Sequence, residues 1–462
     1  MIELSFPGDL TDADELATQL FTTGLSRGAC QAKAAMLVRA ASALSVTGEA
    51  HRGRPPLGFF VPGRIEVLGK HTDYAGGRTM VAAVERGLCV AALPRDDRQM
   101  IVIDAASGET IVFAIDCELK PQTRTWSTYP VTVARRMARN FPGAVRGADI
   151  AFVSDLPPGG GMGSSSGLIT AIFLAMADVN RLTARDEYWH NIGSNTDLAG
   201  YLGAVENGET FGTLEGDDGV GTYGGSEDHT AILCAEPNHI SQYAFCPVEF
   251  EKLIPMPPGY LFVVAASGVT ADKSDAAARD KYNAASRLAA TLLDLWRRET
   301  GRDDPHLAAA LGSSAEAVTQ LQAIVESADV GPFTTEALLA RLEHFMLESG
   351  EIIPAAGDAL LRGDLREFGR LVDDSQRAAE RLLGNQMAET IFLAASARRL
   401  GAAAASAFGG GFGGSVWALV ETARADDFLA AWAGVYSENF PQHAERASFF
   451  ATSAGPAAFR VC

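Results

Sequence analysis

Residues Ser154 to Asn180 read SDLPPGGGMGSSSGLITAIFLAMADVN. The preceding ADIAFV (148–153) is a short apolar run of strand length, and GLITAIFLAMADV (167–179) is apolar on most sides, as a buried helix is. Between them lie Pro157, Pro158, Gly159, Gly160, Gly161, Met162, Gly163, Ser164, Ser165 and Ser166. Such a strand–loop–helix unit leaves backbone N–H groups unpaired at the helix start. Its glycines let a ligand approach the backbone closely, and the helix dipole favours an anion there. The loop from Gly159 to Ser166 is therefore expected to cradle phosphate. It is not the common P-loop, because no Gly-Lys-Ser/Thr follows the glycines. A flexible linker is the competing reading, but linkers are rarely clamped between a strand and a core helix.

Working outward, 462 residues suffice for two or three domains with sizeable cores. The 38 basic and 57 acidic residues leave a net charge of −19, which argues against nucleic acid or an anionic membrane as the main partner. An anionic nucleotide must then be held by local dipoles and a metal against the overall field. The six cysteines form no C-x-x-C pair, as expected of free thiols in a reducing compartment. The acidic start MIELSFPGDLTDADE has no secretion pattern, and no apolar run is long enough to span a bilayer, so the expected location is the cytoplasm. No signal for an oligomeric state is present.

LTDADELATQLFTTGL and CQAKAAMLVRAASALS carry helical spacing. FFVPGRIEVLGK, TMVAAVERGLCVAALPR and MIVIDAASGETIVFAI read as strands, WSTYPVTVARRMARNF as a helix, and TFGTLEGDDGVGTYGGSEDH as a loop. YLFVVAAS opens a second half dominated by Ala/Leu-rich helices, and AAAASAFGGGFGGSVWALV reads as strand, glycine turn, strand. This pattern predicts α+β architecture in two domains, 1–235 and 236–462, with the boundary between 220 and 260.

Three motifs occur in order: PGRIEVLGKHTDYAGG at 62–77, LPPGGGMGSSSG at 156–167 and SAFGGGFGGS at 406–415. Together they resemble the GHMP small-molecule kinases and, within them, the galactokinases. The resemblance implies a ribosomal protein S5 domain 2-like N-terminal domain, a ferredoxin-like C-terminal domain and an active site between them. It also implies ATP-dependent phosphorylation of a small alcohol, in galactokinases the anomeric hydroxyl of the sugar. Two alternatives stand beside an enzyme acting on galactose or a similar sugar. One is a non-catalytic sugar and ATP sensor. The other is a GHMP kinase for another alcohol, such as mevalonate or homoserine. The retained serines, Arg64 and Asp228 favour an enzyme, and HTDYAGG favours a sugar.

The same resemblance implies roles for single residues. The loop Gly159–Ser166 would donate backbone N–H groups to the triphosphate, and Trp126 matches an aromatic residue near the adenine, although a lone Trp is ordinarily core. Ser165 and Glu206 match the hydroxyl and carboxylate that complete an oxygen shell for Mg²⁺, with a solvated helix carboxylate as the plain reading of Glu206. Asp228 in GGSEDH matches the catalytic carboxylate that accepts or orients the sugar hydroxyl proton. Glu227 competes for that role, and helix capping is the plain reading of both. The spacing from Glu206 to Asp228 is longer than in typical galactokinases. Arg64 matches the arginine that stabilises this carboxylate and the transferred phosphoryl group. His71, Asp73, Gly225 and Tyr282 match sugar-pocket positions.

Lys70 departs from the family, whose signature carries glutamate there. Lysine is a donor only and cannot replace a hydroxyl acceptor. Two readings follow: Lys70 faces the substrate and selects a uronic acid such as galacturonate, or it turns outward to pair with Glu66 while the sugar remains galactose-like.

Overall fold

The computed structural model describes residues 2–3, 10–44, 55–121, 125–143, 145–269 and 276–461. Its strands are β1 (Ile2–Glu3), β2 (Leu57–Leu68), β3 (Arg78–Pro94), β4 (Gln99–Asp104), β5 (Thr110–Ala114), β6 (Ala148–Ser154), β7 (His239–Ala244), β8 (Glu249–Pro255), β9 (Tyr260–Ala266), β10 (Ala404–Phe408), β11 (Ser415–Glu421), β12 (Ser448–Thr452) and β13 (Phe459–Arg460). Among the described residues they form two sheets. The first follows the order β1-β13-β2-β3-β6-β4-β5, with β7 on β3 and β8 on β7.

The 17-residue β3 is long enough to hold two partners on one edge. Its later half, Leu88–Pro94, pairs with β6, and its start, Arg78–Val81, pairs with β7. The change of sheet therefore falls after 235/236 but inside the expected range of 220 to 260: residues 239–255 belong to the first sheet, and the second sheet begins at Tyr260. The C-terminal β13 also returns to the first sheet, pairing with Phe59 and Phe60 of β2. A chain-order division cannot anticipate that return.

The second sheet is antiparallel in the order β10-β11-β9-β12. With helices between β9 and β10 and the helix Ala425–Asn439 between β11 and β12, this is the β-α-β-β-α-β ferredoxin-like arrangement. Its first crossover is expanded into the helical segment from Ala276 to Arg399. Within that segment Trp296, Leu338, Leu342 and Phe345 pack around Ala75, so the inserted helices close over the 73–75 turn of the HTDYAGG loop. One continuous apolar core joins Val61, Ile65 and Ile172 on the first sheet side to Phe262, Val264 and Trp417 of the second. Burying both sheets in one core holds the two motif-bearing halves in fixed register. None of the helices among the described residues is long and apolar enough to cross a membrane.

Candidate active site

The glycine loop leaves β6 at Ser154 and enters the helix Ser164–Val179 after Gly163. It is pinned from both halves of the molecule. Buried Lys33 pairs with Asp155 at its start, and Asp155 also accepts the Gly87 N–H at 2.8 Å. The Arg64 N–H donates to the Met162 carbonyl at 3.1 Å, and the Arg64 guanidinium donates to the Gly161 carbonyl. From the second sheet, the Ser415 hydroxyl donates to the Gly160 carbonyl at 2.6 Å. Five carbonyl or carboxylate anchors of this kind fix a loop that its glycine content alone would leave mobile.

The loop opens onto a cavity lined by Arg64, His71, Asp73, Ser165, Ser166, Glu206, Gly225, Asp228 and Tyr282, all candidates from the sequence. Asp228 lies in the first turn of the helix Glu227–Cys234, where the dipole favours a carboxylate. Capping does not explain it: Ser226 holds the N-cap position, and both acids lie inside the helix. Arg64 Nε and Nη2 each reach Asp228 Oδ1 at 2.7 Å. Burial alone would lower the Arg64 pKa, but Asp228, Glu227 and Glu66 outweigh it and hold the guanidinium protonated. Arg64 is thus no surface residue at a strand end but the buried cation of the site.

Glu206 is not a solvated helix carboxylate either. Its Oε2 accepts from the Ser166 hydroxyl at 2.7 Å and lies 3.0 Å from His229 Nε2. Ser166 also reaches Asp228 Oδ2 at 3.3 Å, so one hydroxyl bridges both carboxylates. Sequence reasoning placed Ser166 only in the phosphate loop and missed His229 altogether. The signal for His229 was its place beside Asp228 in SEDH. The longer Glu206–Asp228 spacing is taken up away from the cavity: Asp217 folds back to an ion pair with Arg135 at 2.7 Å. Asn207 then ties the end of its helix to the Gly224 backbone, with bonds of 2.7 and 2.9 Å, which brings Asp228 back to Glu206.

The far wall is built from the HTDYAGG loop. His71 holds φ +58°, a left-handed conformation that histidine tolerates at modest cost, and its Nε2 lies 3.2 Å from the Gly410 carbonyl. Asp73 Oδ2 accepts the Glu227 N–H at 3.1 Å. Burial pushes the Asp73 carboxyl up to about 6, against the N–H bonds from Glu227 and Tyr74. Gly225 is needed for this approach, since a Cβ there would lie 2.1 Å from Asp73 Oδ2. Gly410 likewise admits Tyr282, whose Cε2 would lie 1.9 Å from an added Cβ. The last glycine motif therefore shapes the site by close packing.

Two candidates lie elsewhere. Trp126 precedes the helix Thr128–Asn140, donates from Nε1 to Glu109 at 2.6 Å and packs edge-on to Phe152; it does not line the cavity. Lys70 is 1% exposed and outside the cavity lining, so it neither faces the cavity nor turns outward to solvent. Its ammonium donates to Ser406 Oγ at 2.8 Å and Ser375 Oγ at 3.2 Å. Ser375 donates in turn to Glu348, which also accepts the Gly69 N–H. Glu348 sits on the π-helical turn Met346–Ile352, whose extra width turns it toward the signature loop. Lys70 is thus a tie between the halves of the molecule. Lys70→Met is expected to cost about 1–3 kcal/mol of stability in urea unfolding, since the hydroxyls and carboxylate that face the ammonium lose their charged partner. Its kcat is expected to stay within a few-fold of wild type.

A glycine loop opening a buried helix, a carboxylate–arginine pair facing it and a ferredoxin-like second half are the arrangement that the resemblance to GHMP kinases implies. Three family models match in order: the galactokinase galactose-binding signature at residues 49–94, the GHMP kinases N terminal domain at 128–208 and the GHMP kinases C terminal at 358–438. The chain is 29% identical over 399 residues to a galactokinase of Chloroflexus aggregans, covering 84% of this chain and 90% of that protein. It is 28% identical over 380 residues to a galactokinase of Roseiflexus sp., covering 82% and 86%. In fold it is similar to Lactococcus lactis galactokinase complexed with galactose, with a TM-score of 0.71 at 23% identity over 91% of this chain and 98% of that one. The Methanococcus jannaschii mevalonate kinase is a more distant fold neighbour, with a TM-score of 0.53 at 12% identity. Together the family models and the galactokinase relatives support a galactokinase-like GHMP kinase.

Proposed function

We propose that this protein is a cytoplasmic kinase that transfers the γ-phosphoryl group of ATP to the anomeric hydroxyl of galactose or a closely similar neutral sugar. The observation that carries the reading is the Arg64–Asp228–Ser166–Glu206 cluster, set between the glycine loop and the His71–Asp73 wall. The galactokinase relatives and the signature match at 49–94 support the sugar class. The paired Arg64 and Asp228 weigh against a non-catalytic sensor. A uronic acid lacks support, because the lysine expected to read it is sequestered and the cavity wall carries Glu66, Asp73, Glu227 and Asp228.

In this reading the sugar hydroxyl lies against Asp228, which orients it and accepts its proton as the bond to phosphorus forms. Arg64 stays charged throughout and offsets the anion on Asp228 and the charge developing on the transferred group. Loop N–H groups from Gly159 to Ser166 hold the phosphates. His71, Asp73 and Tyr282 fix the sugar and exclude water.

Among the described residues no group of three or more His, Cys, Asp or Glu side chains is arranged to hold a metal ion. A hydroxyl and one carboxylate, from Ser165 or Ser166 and Glu206, nevertheless suit Mg²⁺, which takes few protein ligands and completes its shell with phosphate oxygens and water. When bound there, Mg²⁺ would neutralise phosphate charge. Glu206→Gln is expected to raise the Mg²⁺ concentration for half-maximal activity by roughly tenfold or more, and an unchanged Mg²⁺ dependence removes Glu206 from the site. The activity itself is tested by following ADP release with ATP, Mg²⁺ and a panel of galactose, glucose, galacturonate, mevalonate and homoserine. Galactose is expected to support turnover, and a preference for either non-sugar alcohol refutes the reading.

A further inference from the structure

Two acidic side chains of the cavity have no part in the chemistry above. Glu66 is 4% exposed and Glu227 5% exposed, and both line the cavity. Each has one carboxyl oxygen, Oε1, buried without a hydrogen-bond partner. A buried carboxyl oxygen without a partner costs stability, and such groups persist where they serve a ligand. They come from different elements, β2 and the helix Glu227–Cys234, and converge on the same wall. Lys70, four residues beyond Glu66, gives neither Oε1 a hydrogen bond, because its ammonium donates to Ser375 and Ser406.

We propose that Glu66 and Glu227 are specificity-determining residues of the sugar wall, their carboxyls reading ring hydroxyls and excluding anionic sugars. The proposal rests on the sugar-kinase reading and names which groups select the substrate. Its chemistry follows from the surroundings. Glu66 faces Lys70, Arg64, Glu348 and Asp228; Glu227 faces Glu66, Asp73, Arg64 and Asp228. Burial pushes the Glu66 carboxyl up to about 7, partly offset by Lys70 and Arg64. Burial and the neighbouring carboxylates Glu66 and Asp73 push Glu227 well above its ordinary value. A carboxyl pushed up in this way holds its proton to higher pH than a free one, and a protonated carboxyl offers a sugar hydroxyl both a donor and an acceptor. A carboxylate on the sugar would meet the carboxyls of Glu66, Asp73, Glu227 and Asp228 on this wall, where the guanidinium of Arg64 is already held by Asp228.

The raised values also fix a sign. Between about 4.5 and 7 the folded protein holds a proton on Glu66 that the unfolded chain has released, so this contribution to stability is lost as pH rises. Replacing the carboxyl by an amide abolishes that loss. A residue kept for the fold alone would not be improved by its own replacement; one kept for substrate would.

The test compares wild type, Glu66→Gln and Glu227→Gln in steady-state assays with galactose, its 2-, 4- and 6-deoxy analogues and galacturonate, and in thermal melts at pH 6 and pH 8. Each variant is expected to raise the galactose KM about tenfold with kcat within a few-fold. Each should flatten the penalty for one missing hydroxyl and narrow the galactose-to-galacturonate gap. Glu66→Gln is expected to melt higher than wild type at pH 8 by a few degrees. Unchanged KM and an unchanged deoxy-sugar profile in both variants overturn the proposal. So does a galacturonate preference in wild type. If the variants do not fold, galactose binding to wild type near pH 7, measured by calorimetry in buffers of different ionisation heat, must move protons; binding without proton exchange overturns the proposal. Failure of wild type to phosphorylate any sugar refutes the kinase reading instead.

Discussion

Asp228→Asn is expected to lower kcat by about 10²–10⁴-fold while ATP binding changes little, the range general-base participation typically spans. The substitution is nearly isosteric: its one oxygen can keep the bond from Arg64, now 2.7 Å to Oδ1, and the amide that replaces Oδ2 can donate to the Ser166 hydroxyl, now 3.3 Å away. What it removes is the anion that takes the hydroxyl proton. Turnover by ADP release and nucleotide affinity by calorimetry separate the two effects. Glu227→Gln is the control, because Glu227 is the neighbouring carboxylate in the same helical turn. Its effect is expected in KM. If Glu227→Gln loses the turnover and Asp228→Asn keeps it, the catalytic role belongs to Glu227.

Arg64→Gln is expected to reduce kcat by roughly 10²–10³-fold and to destabilise the protein by about 3 kcal/mol. The two losses share one cause. The Arg64 side chain is 6% exposed and Asp228 26% exposed, so the abandoned carboxylate regains little solvation. The Gly161 carbonyl loses its donor at the same time, which loosens the phosphate loop. Because Asp228 keeps some contact with water, the stability cost stays at the low end for a broken buried pair. Arg64→Lys is the informative comparison. It keeps the charge but cannot hold Asp228 and the Gly161 carbonyl together with a planar fork, so it is expected to recover stability better than kcat. Denaturant unfolding together with steady-state kinetics checks both. A wild-type kcat in Arg64→Gln refutes the assignment.

Local pattern carried much of this molecule. ADIAFV followed by a glycine loop and an apolar helix folds as a strand, loop and helix at 148–179 because the periodicity, the glycines and the anion-seeking helix start are all local properties. Most site residues were also legible, since Arg64, His71, Asp73, Ser165, Glu206 and Asp228 lie within short motifs whose spacing survives folding. Where local pattern misled, the deciding contact came from far along the chain. The strands at 239–255 join the first sheet because β3 is long enough for two partners, a fact of pairing rather than composition.

Lys70 marks the limit most clearly. A lysine inside a sugar signature has one meaning if solvent or substrate faces it and another if protein does. Residues 375 and 406 decide, more than three hundred positions away, by supplying two hydroxyls that hold the ammonium inside the protein. Glu66 and Glu227 show the converse. Nothing local marks Glu66 as a substrate group, and GGSEDH offers Glu227 only as a rival to Asp228, because the cost of a buried unpartnered carboxyl exists only once β2 and the 227–234 helix are packed together around one cavity. The sequence by itself determined the class of chemistry, through residues that act within a turn or a helix start. Only the tertiary structure decided which charges reach the cavity, because burial, pairing and desolvation belong to the packed neighbours of a side chain rather than to the chain around it.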